Sequence, residues 1–74
     1  MEEKINTAFK NVLNIDPINQ ESSLIYNETD GWDSVGHMGL IAELENLFDC
    51  MMDMDDILDM SSYTKCIEIM KKYS

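Results

Sequence analysis

One stretch of the chain carries residue types suited to chemistry: Gly31-Trp32-Asp33-Ser34-Val35-Gly36-His37-Met38. Asp30-Gly31 is a turn signal. Asp33 is a good helix N-cap, because its carboxylate can accept a backbone N–H of the first turn. Ser34 then stands at the start of a helix with its hydroxyl exposed. Backbone N–H groups and the dipole at such an end tolerate negative charge, so a phosphodiester built on the Ser34 oxygen would be stabilised there. The plainer reading is a helix cap and nothing more, and spacing alone favours it.

Other chemistries fit less well. Ser34 and His37 are three apart on a helix, as a nucleophile and base could be. The nucleophile elbow needs glycine two before and two after the serine. Gly36 satisfies the second place, but Trp32 fills the first. No third orienting group or oxyanion hole is identifiable, so His37 reads as a half-buried hydrogen-bonding residue. Asp53 and Asp55 could open a calcium loop, but Ile57 and Leu58 occupy its fifth and sixth positions, and both fail. Asp53, Asp55, Asp56 and Asp59 read instead as a solvated acidic face. Cys50 and Cys66 lack metal-ligand spacing and are too few for a disulfide framework. Both read as small apolar groups in a reducing compartment.

The elements that must position Ser34 follow from periodicity. Ile5, Phe9, Val12 and Leu13 recur at helical spacing from about Glu2 to Leu13. Pro17 closes that segment. From Asn14 to Asp33 the chain is rich in Asn, Asp, Ser and Glu and reads as a long loop. Ile15, Ile18, Leu24 and Ile25 are its expected anchors. A second helix is expected from Asp33 or Ser34 to about Phe48, with Leu40, Ile41, Leu44, Leu47 and Phe48 facing the core.

Val35, Met38 and Ala42 form a second, smaller stripe near the direction of Ser34, continued by Glu45. Two-sided burial would explain it, and so would a docking surface; periodicity alone favours burial. Asp49 to Asp53 reads as a connection. Asp55 to Asp59 reads as a short helical turn with Met54, Ile57 and Leu58 inward. Ser61 or Ser62 caps a last helix from about Tyr63 to Tyr73, with Tyr63, Cys66, Ile67 and Met70 on one face. Lys71 and Lys72 suit its C-terminal end. The expected fold class is all-α: a small bundle of three main helices plus one short helix, with a long first loop.

Seventy-four residues make a single domain, 1–74. A chain this short buries only roughly 60% of its unfolded surface, which leaves little room for an enclosed catalytic cavity. Fifteen acidic residues face five lysines, for a formal net charge of −10. Such a chain repels nucleic acid and is steered toward basic surfaces on partner proteins. Simple solubility explains the same charge equally well. No apolar run approaches the roughly 20 residues of a membrane span. Met1-Glu2-Glu3-Lys4 lacks the regions of a signal peptide, so the expected location is the cytoplasm.

Asp33-Ser34-Val35 resembles the Asp-Ser-Leu signature of acyl carrier proteins. Leu40-Ile41, Leu44 and Leu47-Phe48 follow at the spacing of that family's second helix. The short acidic helix and the last helix from Ser62-Tyr63 also fall where the family has them. The resemblance covers about Gly31 to Tyr73. It implies a monomeric, non-enzymatic carrier with 4′-phosphopantetheine on Ser34, Asp33 being part of the attachment motif. It implies a phosphopantetheinyl transferase as one partner, and an acyl-activating synthetase or acyltransferase with a basic docking patch as another. Carried over by position, Val35, Met38, Ala42 and Glu45 are the partner contacts, with Glu43, Asp55 and Asp56 as weaker steering charges. Trp32, Gly36 and His37 depart from the fatty-acid members and look more like discrete carriers of specialised pathways. Gly36 and Gly39 are expected to permit close approach of the arm or a partner. The alternative is an acidic protein-interaction module or inhibitor without a prosthetic group, in which Ser34 only caps a helix.

Overall fold

A computed structural model describes all residues, 1–74. It is all-α: α1 spans Glu2–Leu13, α2 Ser34–Phe48, α3 Met54–Asp59 and α4 Tyr63–Met70, with one 3₁₀ turn at Glu21–Ser23. The only extended pairing is an isolated bridge between Ile25 and Ser62. No helix is long and apolar enough to cross a membrane.

The helix ends obey local rules. Asn14 stops α1 in the left-handed conformation, φ 58°, and Asp49 stops α2 at φ 51°. Asn19 and Asn27 are the only other non-glycine residues with positive φ. All four are Asn or Asp, whose short polar side chains tolerate that region best. Ser62 caps α4 by accepting the Lys65 N–H at 3.0 Å. Helix α4 ends at Met70, and tighter turn bonds carry the chain on to Tyr73.

The core is built around aromatics from three parts of the chain. Phe9 of α1 meets Trp32 edge-on at 5.1 Å and Tyr63 of α4 at 5.3 Å. Leu40, Ile41, Leu44 and Phe48 of α2 pack onto them, while Leu47 is only half-buried. On α4, Tyr63, Cys66 and Met70 are buried as expected; Ile69 is buried too, and Ile67 only partly. Burial pushes the Cys66 thiol up to about 12. Of the expected loop anchors, Leu24 is buried and Ile15 half-buried, but Ile18 is 61% exposed. Ile25 is also exposed; its neighbourhood is fixed by the backbone, through Tyr26 N–H to Ser61 O and Tyr63 N–H to Leu24 O.

Helix α3 is rotated from its expected orientation. Met54 and Leu58 face solvent, Ile57 is half-buried, and Asp56 is the residue turned inward. Asp56 is therefore not part of a solvated acidic face. Its carboxylate accepts the Lys72 ammonium at 2.6 Å and the Tyr73 hydroxyl at 2.5 Å. Buried Met52 and Met60, just outside the helix, supply the apolar contacts instead.

Those bonds, Lys72 first and Tyr73 second, hold the Asp56 carboxyl below its ordinary value. Its stabilising contribution is complete above the ordinary carboxylate range and is lost as pH falls through the lowered folded value. The same bonds raise Lys72 and Tyr73, so their contribution holds below about pH 10 and fades above it. The expected result is that Asp56→Asn lowers Tm at neutral pH, and that its gap from the parent shrinks below about pH 4. A gap unchanged into acid, in pH-resolved thermal melts, would contradict the assignment.

Gly36 and Gly39 both stand where a side chain would meet close neighbours. A Cβ on Gly36 would fall on the Gly31 carbonyl oxygen and stand 3.0 Å from Leu13 Cδ2; one on Gly39 would stand 3.0 Å from Val12 Cγ1. Both glycines let α2 lie close to α1 and the end of the loop. Gly36→Ala is expected to cost about 1–3 kcal/mol through overpacking, despite alanine's better helix propensity. Urea unfolding measures this, and a neutral or stabilising effect would contradict the close contact.

Candidate functional site

The loop ahead of Ser34 is folded on itself. Thr29 N–H reaches Ile25 O at 2.8 Å, Asn27 N–H reaches Trp32 O at 2.7 Å, and Trp32 N–H reaches Thr29 O at 3.0 Å. Thr29 Oγ1 accepts the Ile25 N–H at 2.8 Å. Gly31, at φ 86°, makes the final turn, in a conformation that favours glycine. This turn seats Trp32 in the core and puts Asp33 at the mouth of α2.

Asp33 Oδ1 accepts the Gly36 N–H at 2.9 Å, and the Asp33 carbonyl accepts the His37 N–H at 2.7 Å. The cap expected from sequence is therefore made by Asp33, and Ser34 is the first residue of the helix, exposed to solvent. Its own N–H and that of Val35 have no acceptor within the protein. They are free to bind an anionic group at this helix end.

His37 faces inward. Trp32 Nε1–H donates to His37 Nδ1 at 2.9 Å, and His37 Nε2 lies 2.8 Å from Ile57 O. The indole can only donate, so Nδ1 carries the lone pair and Nε2 carries the proton that Ile57 O accepts. Tyr26 packs against the imidazole with ring centroids 5.0 Å apart. With both nitrogens engaged, His37 makes no hydrogen bond to Ser34.

The second stripe of α2 is solvent-facing. Val35 is 82% exposed and Met38 62%, and Ala42 is exposed too. Periodicity pointed to burial by a second neighbour, but no helix covers that side. Leu58 of α3 is exposed near the start of α2, because His37 holds the carbonyl just before it, and Met54, one turn earlier on α3, is exposed as well. Reading α3 inward hid them in the sequence.

Glu45 and Glu43 are less free than Val35 and Met38. Glu45 Oε2 accepts the Met52 N–H at 3.0 Å, which ties α2 to the connection before α3. Glu43 Oε2 accepts from Asn11 Nδ2 at 2.9 Å. Asp55 is exposed, whereas Asp56 is committed to Lys72 and Tyr73.

No group of three or more His, Cys, Asp or Glu side chains is arranged to hold a metal ion. Comparison with protein-family models, curated proteins and solved structures gives no match.

Proposed function

We propose that the chain is a carrier protein that holds an acyl or aminoacyl group as a thioester on 4′-phosphopantetheine attached to Ser34. The observation that carries this reading is the exposed Ser34 hydroxyl at the first position of α2, beside two unpaired backbone N–H groups. The Asp33-Ser34-Val35 motif and the helix order after it support the same reading.

The residues fit the group. The Ser34 oxygen attacks the β-phosphate of coenzyme A, 3′,5′-ADP leaves, and the serine proton passes to a base on the transferase. The free N–H groups of Ser34 and Val35 would hold the phosphodiester. When bound, the arm supplies a terminal thiol that carries the cargo as a thioester.

Partner enzymes bring the catalytic groups. Val35, Met38 and Ala42 offer them an apolar contact beside the attachment point, with Leu58 nearby on α3. The net negative charge of the chain favours approach of basic docking patches. A nucleic-acid partner does not suit this charge, and a monomer in the cytoplasm fits the reading.

A fluorescent coenzyme A analogue tests it. With magnesium and a broad-specificity phosphopantetheinyl transferase, the protein is expected to become fluorescent in a denaturing gel. A folded protein that stays dark, with a transferase from its own source as well, would favour an acidic interaction module without a prosthetic group.

A further inference from the structure

An apolar cargo rooted at Ser34 has two destinations: solvent, or the interior of the bundle. One way inward near Ser34 is the seam between the first turn of α2 and the end of α3. His37 closes that seam from α2, through Nε2–H to Ile57 O at 2.8 Å. Trp32 stands behind it, fully buried, with its indole N–H held by His37 Nδ1 at 2.9 Å. Phe9 and Tyr26 pack edge-on to the indole, at 5.1 and 6.3 Å. Leu40, Leu44 and Met60 are buried to within 1% and share the same core.

Every buried side-chain polar atom in this protein has a partner. A chain of methylenes entering here would break both His37 bonds and leave the buried Trp32 N–H and the half-buried Ile57 carbonyl without their partner. It would also have to displace aromatic rings that already fill the space. The one open cleft, about 410 Å³, lies at the end of α1 and the loop. Leu13, Ile15 and Leu24 line it, but the other five of its eight wall residues are polar, Asp16 and Asp30 among them, which suits a hydrocarbon poorly.

We infer that Trp32 and His37 are specificity-determining residues that bar the bundle to the cargo, so that this carrier serves short or polar acyl groups held in solvent. The inference rests on the carrier reading of Ser34. It assigns the cargo class to two side chains that touch neither the arm nor a partner.

The experiment compares acyl groups of two, eight and twelve carbons attached at the same site in two ways. One is transferase loading of Ser34 from the acyl-coenzyme A. The other is alkylation of Ser34→Cys in a Cys50→Ser background, with alkyl halides carrying the same chains. Buried Cys66, its thiol pushed up to about 12, stays unreacted in the folded protein. Failure of the first route alone refutes the carrier reading, and the second still reads the seam.

The expected result is a Tm constant to within about 1 °C along the series and an unmoved Trp32 indole N–H resonance, because burial of a chain by the folded state alone would raise Tm. A Tm that climbs several degrees with chain length, with a displaced indole resonance, overturns the proposal. In His37→Ala, the seam is expected to open and the chain-length dependence to appear. A flat series in that variant overturns the role of His37. If His37→Ala does not fold, the parent series decides the question by itself.

Discussion

Ser34→Ala is expected to abolish attachment of phosphopantetheine while leaving the melting curve nearly where it was. Loss of loading should be complete, because no other hydroxyl stands at this helix start. The structural cost should be small for a specific reason: the cap belongs to Asp33, whose Oδ1 holds the Gly36 N–H at 2.9 Å. Ser34 is exposed, and an exposed substitution of this kind stays within about 0.5 kcal/mol. Intact mass and circular dichroism read the two effects separately. A large loss of helicity would show that Ser34 is chiefly structural. Residual loading of the variant would place the attachment on another residue.

Trp32→Ala is expected to produce the largest loss of stability of any single change. The side chain is fully buried, meets Phe9 and Tyr26 edge-on, and donates to His37. Removing such a ring costs about 3–5 kcal/mol in transfer and cavity terms. A whole domain has only about 5–15 kcal/mol to lose, and one this small buries a modest share of its surface. The variant should therefore be largely unfolded well below the parent's midpoint. Trp32→Phe keeps most of the ring but leaves His37 Nδ1 without its donor, so it should fall between the two. Urea unfolding followed by circular dichroism gives the order. Equal midpoints for the parent and Trp32→Ala would contradict the placement of Trp32 at the centre of the core.

Trp32 and Ser34 stand two places apart in the sequence with opposite duties. Trp32 fastens the loop to the core, Asp33 caps the helix, and Ser34 is left outside. Deep burial on one side of Asp33 and full access on the other fix where the hydroxyl points. The position of Ser34 thus rests on the core contacts of Trp32, while Val35 and Met38 beyond it stay exposed.

What could be read from the sequence was what local rules decide. The limits of α1 and α2, the Asp33 and Ser62 caps and the buried face of α2 follow from spacing and end chemistry over a few residues. The orientation of α3 does not. Six residues with apolar side chains at Met54, Ile57 and Leu58 and acids among them allow two buried faces. Partners 16 and 17 residues away, Lys72 and Tyr73, decide for Asp56. The exposure of Val35 and Met38 is also a tertiary fact, since periodicity records a stripe but not what covers it. Trp32 and Gly36 stood out as departures from a motif. Their reasons are the ring of Phe9 and the carbonyl of Gly31, contacts that no local pattern contains. An indole five residues ahead of an imidazole was the available signal for the Trp32–His37 bond.

The central claim is that Ser34 is the point of covalent attachment. Tandem mass spectrometry of the peptide around Asp33-Ser34-Val35 tests it most directly, after incubation with coenzyme A, magnesium and a phosphopantetheinyl transferase. The account predicts one phosphopantetheine per chain, located on Ser34, and none on Ser34→Ala. An unmodified Ser34 in a folded protein, or the group on a different side chain, would contradict it.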